Sequence, residues 1–141
     1  MKLFPAVAVI CWSCVAVAEA GPGFYRFPAL FGDTVVFTAE GDLWKVTVTG
    51  GIAQRLTSHP GTESFAALSP DGKTVAFYAE YEGPAEVYVM PLEGGLPQRL
   101  TWNGEGSFPT GWTPQGRVIF TTKAFSTLSN DQLATVDPGS G

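Results

Sequence analysis

The sequence predicts an all-β fold, a partial β-propeller made of four-stranded antiparallel blades. The stretch LSPDGKTVAF at 68–77 returns as WTPQGRVIF at 112–120, and GGIAQRLT at 50–57 returns as GGLPQRLT at 94–101. A repeat of about 40–45 residues that holds four short strands has the length of one propeller blade. The 17 glycines and 11 prolines leave no amphipathic stretch long enough for helical repeats.

Each repeat divides into the same succession of strands, which are rich in β-branched and aromatic residues. We expect two complete blades and a third blade that lacks its last strand, at approximately 24–57, 64–101 and 107–137 within one domain, 21–141. The expected strands are 24–30, 34–39, 42–48 and 53–57; 64–68, 74–79, 85–90 and 97–101; and 107–112, 117–122 and 132–136.

The repeated turn residues have defined structural roles. In the second blade, Pro70 presets φ, Asp71 caps the turn with its side chain, and Gly72 takes the left-handed conformation after Ser69. The third blade keeps the proline and the glycine and replaces the aspartate. The turn residues of the third blade are Pro114, Gln115 and Gly116. A later hairpin contains a pair of glycines, Gly50 and Gly51 in the first blade and Gly94 and Gly95 in the second, where positive φ is needed again.

The N-terminal stretch predicts a secretory signal peptide, 1–20. Lys2 precedes the apolar run LFPAVAVICWSCVAVA, and small residues lead to a cleavage site between Ala20 and Gly21. The alternative is an uncleaved membrane anchor, although the run is shorter than the roughly 20 residues of a span. Membrane contact is expected only in that alternative. We therefore expect an exported protein of the bacterial periplasm.

Composition narrows the functional classes further. Both cysteines, Cys11 and Cys14, lie in the predicted signal peptide, so 21–141 offers no disulfide or thiol chemistry. The net charge is −5 and no basic cluster occurs, which argues against a nucleic-acid partner. One histidine and dispersed carboxylates match no metal-ligand spacing, so neither a metal nor another cofactor is expected.

Several residues invite a catalytic interpretation. His59 in SHPGTE is the sole histidine; Ser58 precedes it, yet no nucleophile elbow is present, and we interpret it as a structural loop residue. Glu80 and Glu82 in AEYEGPAE resemble an acid and base pair, but their position favours a solvated loop. The sequence therefore predicts no catalytic residue.

Aromatic and arginine residues at repeated positions invite a ligand-binding interpretation. Trp44 and Tyr88 occupy equivalent strand positions, for which we expect core filling between blades. The roles of Trp102 and Trp112 stay open. Two arginines also recur at matching positions, where they either tie blade edges together or bind a peptide carboxylate. They are Arg55 and Arg99.

The chain resembles the start of bacterial tricorn-type serine proteases. The resemblance covers essentially all of 21–141, through FYRFPALFGDTVVFTAEGDLWKVTVTGGIAQRLTSHPGTES, LSPDGKTVAFYAEYEGPAEVYVMPLEGGLPQRLT and GWTPQGRVIFTT. The Ser-Pro-Asp-Gly blade is shared with Tol-system propellers and prolyl-oligopeptidase relatives. The blocks at 41–44 and 56–61 make the tricorn resemblance sharper.

The resemblance implies a function through binding. Proteins of this family are longer, and their catalytic serine and histidine lie in a later core that nothing here matches, so the chain by itself is expected to be inactive. It implies a propeller segment that gates peptides or docks the remaining domains of a longer protease. The alternative is a free-standing periplasmic Tol-like module that binds a protein partner and completes its ring as a homo-oligomer. A small hydrolase in its own right lacks a nucleophile and a base.

Overall fold

Three antiparallel sheets follow one another along residues 23–140, the part of the chain that the computed structural model describes. We call them blade one (β1–β4), blade two (β5–β8) and blade three (β9–β11). The strands are β1 Arg26–Phe31, β2 Thr34–Ala39, β3 Asp42–Thr47, β4 Gln54–Arg55, β5 Glu63–Leu68, β6 Thr74–Ala79, β7 Glu86–Pro91, β8 Gln98–Arg99, β9 Ser107–Trp112, β10 Val118–Thr122 and β11 Gln132–Val136.

Each complete blade is a meander in which consecutive strands pair. The all-β fold with two four-stranded blades and one three-stranded blade is confirmed. A single turn of 3₁₀-helix, Pro138–Ser140, follows β11. The predicted signal peptide and its cleavage site between Ala20 and Gly21 lie outside the described residues.

The outer strands β4 and β8 have two residues each and are shorter than expected. The reason is a threonine that follows each of them. The hydroxyl Oγ1 of Thr57 accepts the hydrogen bond of Leu43 N at 2.9 Å, and Oγ1 of Thr101 accepts that of Val87 N at the same distance. A side-chain oxygen thus replaces the next backbone carbonyl of the ladder, and regular pairing ends there.

The repeated turns close the hairpins between the first and second strands of blades two and three. Gly72 N donates to Ser69 O at 2.9 Å, and Gly116 N donates to Thr113 O at 3.0 Å. In blade two, Asp71 Oδ1 accepts from Ser69 Oγ at 2.6 Å and from Lys73 N at 3.1 Å. All six glycines of the repeated turns have positive φ, which glycine adopts without steric cost. They are Gly50, Gly51, Gly72, Gly94, Gly95 and Gly116.

The core consists of two layers, one at each junction between blades. Side chains alternate across every strand, so one face of a blade points to the preceding blade and the other face to the following one. Junction one, between blades one and two, buries Val36 and Leu43 against Phe77 and Tyr88. Junction two, between blades two and three, has its own buried set. Its members are Ala76, Val87, Val89, Leu100, Val118 and Phe120.

Candidate functional site

A group of polar side chains is buried at junction one, where β3 and β5 begin. Asp42 is 5% exposed and Glu63 is fully buried. Arg55 Nη2 donates to Asp42 Oδ2 at 2.5 Å, and Thr57 Oγ1 donates to Glu63 Oε2 at 2.9 Å. Among the described residues no hydrogen bond reaches Asp42 Oδ1 or Glu63 Oε1. Two buried carboxyl groups at this junction therefore each keep one oxygen without a hydrogen-bond partner among the described residues.

Junction two has the corresponding group with one carboxylate instead of two. Glu86 takes the position of Asp42, and Ser107 takes that of Glu63. Glu86 Oε1 accepts from Arg99 Nη2 at 3.3 Å and from Gly104 N at 2.8 Å, and Glu86 Oε2 accepts from Thr101 Oγ1. Both oxygens of this buried carboxyl group are therefore hydrogen-bonded.

Burial raises the pKa of Glu63 to about 7, while hydrogen bonds from Tyr81 and Thr57 act in the opposite direction. The nearby Asp42 raises it further, both by its charge and by hydrogen bonding to Glu63. Burial and the neighbouring Glu63 together raise the pKa of Tyr81, which keeps its phenol neutral. A buried carboxyl group whose pKa is raised towards neutral pH is a candidate functional group.

A groove of about 460 Å³ lies beside this group, on the side of the loop before β5. Its wall includes Ser58, His59, Tyr81, Leu96 and Pro97. The His59 ring packs on the Tyr81 ring with centroids 4.1 Å apart, and His59 Nδ1 accepts from Gly61 N at 2.9 Å. The histidine is bound to its own loop rather than to a serine hydroxyl, so the groove contains no Ser-His pair ready for nucleophilic attack.

The first strands of the three blades carry a row of phenylalanines that we call the aromatic ladder: Phe27, Phe65 and Phe108. They lie on β1, β5 and β9, which are sheet edges and neighbour one another, opposite the outer strands β4 and β8. Their ring centroids are 4.1 Å apart between the first and second and 6.1 Å between the second and third. Each ring remains 38–39% exposed.

Two members of the aromatic ladder have an unusual backbone. Phe27 and Phe65 both have φ of +52°, in the left-handed region that bulky residues avoid, and both lie where the strand register shifts. Such a conformation costs of order 1–3 kcal/mol and persists only where the surrounding structure enforces it. The bulges turn both rings out of the sheets and onto the shared inner edge.

The structure separates the aromatic residues that the sequence grouped together. Tyr88 is buried in junction one, as expected. Core filling is wrong for Trp44, which is half-buried and lines a pocket together with Phe24, Tyr25 and Phe37 of its own blade. Trp112 packs at junction two and donates from Nε1 to Ala67 O at 2.9 Å, whereas Trp102 is exposed beneath Arg99.

The predicted charged residues pair with one another. Arg55 and Arg99 link the fourth strand of each blade to an acidic residue of its third strand, so each arginine acts within one blade. Glu82 is exposed and accepts from Arg99 Nη1 at 3.2 Å, while Glu80 is exposed in the same loop. Each arginine thus ties strands together within its blade, while the side chain of Arg55 stays 48% exposed.

Sequence reasoning missed the two most informative features. Glu63 lies in the GTES segment, whose local pattern does not predict that its side chain is buried. The one indication is that Glu63 aligns with Ser107 at the spacing of the repeat. A phenylalanine near the start of each repeat could have indicated the aromatic ladder. The bulges that orient its rings could not be predicted, because no residue pattern in the sequence identifies them.

Within residues 23–140, no group of three or more histidine, cysteine or acidic side chains could hold a metal ion. The same residues include no helix that is long and apolar enough to cross a membrane.

These features define a class of protein: a β-propeller segment with buried polar groups at its blade junctions. Residues 22–141 match the model of the tricorn protease N-terminal β-propeller domain, and the chain belongs to this family. It is 41% identical over 101 residues to tricorn protease homolog 1 of Streptomyces coelicolor, which covers 71% of this chain and 10% of that protein. The chain thus spans about a tenth of the length of this relative.

Solved structures with similar folds agree with the propeller architecture. The crystal structure of the tricorn protease superposes with a TM-score of 0.72 at 24% identity, covering 81% of this chain and 12% of that one. A putative TolB from Agrobacterium tumefaciens superposes with a TM-score of 0.72 at 23% identity, covering 84% of this chain and 44% of that one. At these identities the likeness concerns the fold alone.

Proposed function

We propose that the chain is a non-catalytic propeller segment of an exported tricorn-like serine peptidase, and that it contacts peptides on their way to or from the active site. The membership of the family supports the peptidase context. The observation that carries the peptide role is the aromatic ladder, which runs across all three blades on the inner edge of the sheets. Docking to the remaining domains is the other role open to the same segment.

The aromatic ladder suits transient contact with peptides. Three partly exposed rings offer a continuous apolar strip, and aromatic rings bury a large area with little loss of conformational freedom. A strip without a deep pocket binds many different apolar side chains, each of them weakly. Weak and unselective binding is what a passage for peptides of varied sequence requires. The strained φ of Phe65 is consistent with a ring held in place for contact rather than for packing.

Peptide binding can be measured by fluorescence anisotropy with a labelled peptide rich in leucine and phenylalanine. We expect Phe65→Gly and Phe108→Ala to weaken binding several-fold, because each removes one ring of the strip. Glycine suits the positive φ of the first position, so that variant keeps its backbone. Phe125→Ala is the matched control, since Phe125 is exposed outside the ladder. Equal affinity for all four proteins would remove the peptide role.

The absence of catalysis is tested separately. Purified 21–141 is incubated with fluorogenic peptides, with and without a serine-directed inhibitor. We expect no inhibitor-sensitive hydrolysis, because His59 is bound to Gly61 N rather than to a serine. Hydrolysis that the inhibitor abolishes, and that His59→Ala also abolishes, would make the chain an enzyme.

The native size and location of the protein test the peptidase context. An antibody against 21–141 is used on periplasmic and cytoplasmic extracts. A periplasmic band several times larger than the chain supports a segment of a multidomain protease. A cytoplasmic band would overturn the proposal of export.

The outer faces of blades one and three favour a second candidate function, a Tol-like module that binds protein partners and oligomerises. Leu133 corresponds to the fully buried Leu43 and Val87 but is 73% exposed. Such a face fits the exposed side of blade one in a second copy, in a head-to-tail contact. Light scattering should then give a discrete oligomer that Leu133→Asp converts to monomer. A monomeric wild-type chain would exclude this candidate.

A further inference from the structure

We propose that Asp42 and Glu63 hold one proton between them in the folded chain, and that loss of this proton loosens junction one. Each residue has one buried oxygen, Oδ1 and Oε1 respectively, without a hydrogen-bond partner among the described residues. Glu63 N donates to the carbonyl oxygen of Gly41, the residue before Asp42, so the two acids lie at the same point of junction one. A single proton placed between the two free oxygens makes each of them a partner of the other.

The surrounding groups decide which carboxyl carries the proton. Arg55 Nη2 lies 2.5 Å from Asp42 Oδ2, so the positive charge at this point of the junction is already paired with Asp42. Glu63 forms no ion pair among the described residues, and the hydroxyl groups that face it, those of Thr57 and Tyr81, are uncharged donors. The proton therefore resides on Glu63, whose O–H donates to Asp42 Oδ1.

The other groups packed around Glu63 do not replace this proton. Tyr81 faces it as a neutral phenol and is itself packed between the rings of His59 and Tyr88. Glu80, whose N donates to Thr62 O, has its side chain exposed. None of these groups brings a positive charge into the junction, so a second negative charge there is uncompensated.

The location explains why the proton affects the fold. Asp42 belongs to β3 of blade one and Glu63 to β5 of blade two, so the shared proton joins two blades. Glu63 N also donates to Gly41 O at 2.7 Å, directly beside the pair. Two ionised carboxylates at this point repel each other across the junction in a poorly solvated interface.

The direction of the pH dependence follows from the two states of Glu63. Its pKa is about 7 in the folded chain and 4.5 for the free group. Since the folded state binds the proton more tightly, the stabilisation is complete below about pH 4.5 and is lost as pH rises through about 7. Between about pH 5.5 and about pH 8.5, the folding equilibrium constant should fall about 30-fold because of this group.

The main test compares urea unfolding of the full chain at these two pH values for the wild type and Glu63→Gln. The glutamine amide can accept from Thr57 and donate to Asp42, so it mimics the protonated acid at every pH. We expect the variant to lose the 30-fold pH dependence and to exceed the wild type in stability at the higher pH. Equal pH dependence of the two proteins would overturn the proposal.

The matched control is Glu86→Gln at junction two. Its carboxylate oxygens already accept from three donors, so an amide nitrogen there faces a donor. This variant should lose stability at both pH values and keep the pH dependence of the wild type. If Glu86→Gln abolished the pH dependence and Glu63→Gln kept it, the titrating group would lie at junction two and the proposal would be wrong.

Amide hydrogen exchange provides a local readout that does not need cooperative unfolding. The amides of Leu43 and Glu63 report on junction one, and those of Val87 and Ser107 make the same hydrogen bonds at junction two. After correction for intrinsic exchange, we expect protection at the higher pH to fall for the first pair and to hold for the second. Equal changes at both junctions would contradict a shared proton at junction one.

Discussion

Blade two is covered on both faces within the described chain, whereas blade one is covered on one face only. The contrast is clearest at equivalent positions: Phe77 and Tyr88 of blade two are buried against blade one, while Phe37 and Trp44 of blade one stay half-exposed. Phe37 and Trp44, together with Phe24 and Tyr25, line a shallow pocket of about 240 Å³. The same residue pattern therefore becomes core or surface according to whether a neighbouring blade packs on it.

The two junctions differ in their polar groups as well. Junction two fixes one carboxylate with a complete set of donors, whereas junction one places two carboxyl groups together and leaves an oxygen of each without a donor. Buried polar groups stabilise a fold when all their hydrogen bonds are made and weaken it when some are not. Junction one is thus the more sensitive of two otherwise similar interfaces.

The largest expected effect tests the contrast between the covered and uncovered blade faces. Tyr88→Ala should cost about 3–4 kcal/mol of unfolding free energy, because it empties a site packed on both Phe77 and Tyr81. Trp44→Ala should cost clearly less, since its ring already contacts solvent. Urea unfolding of both variants measures the difference. A greater loss for Trp44→Ala would mean that another part of the molecule covers this face.

A second pair of variants compares equivalent leucines. Leu43→Ala should cost about 3 kcal/mol, since Leu43 is fully buried in junction one. Leu133→Ala should change stability by no more than about 0.5 kcal/mol, since its side chain is exposed. Thermal unfolding followed by circular dichroism is sufficient for this comparison. If both substitutions destabilise equally, blade three is covered in solution, which points to a second copy.

A third pair addresses the polar groups of the junctions. Thr57→Val and Thr101→Val each leave a buried amide, Leu43 N or Val87 N, without its acceptor, at about 1–3 kcal/mol. The loss should be greater at Thr57, because its hydroxyl also donates to Glu63 Oε2 beside a second buried acid, whereas Arg99 and Gly104 N still hold the carboxylate at junction two. Chemical unfolding gives both values. A greater loss at Thr101 would reverse our ranking of the junctions.

The smallest effect concerns the hairpins. The Ser69 hydroxyl, followed by Lys73 N, lowers the pKa of Asp71 by hydrogen bonding. A lowered pKa stabilises the fold above the pKa of the free acid, 3.8, and this contribution disappears as pH falls through the folded value. Asp71→Ala should therefore lose a little stability at neutral pH and none at strongly acidic pH. Gln115→Asp should produce a small gain, and a difference that persists in acid would contradict this origin.

The strands, their order and the hairpins of this protein follow from local features of its sequence. The spacing of the repeats, the alternation of β-branched residues and the prolines and glycines of the turns act over a few residues, so they predicted blades, strand order and hairpins. Even the short outer strands have a local origin in the threonines after β4 and β8.

Contacts between side chains of different blades are seen in the tertiary structure and could not be predicted from the sequence. Glu63 and Asp42 are far enough apart along the chain that no local pattern connects them, and they become neighbours only when blade two packs on blade one. Trp44 and Tyr88 occupy equivalent positions of the repeat, yet Trp44 is half-exposed and Tyr88 is buried. Burial and pKa depend on the neighbours that packing supplies, and packing joins residues from different blades.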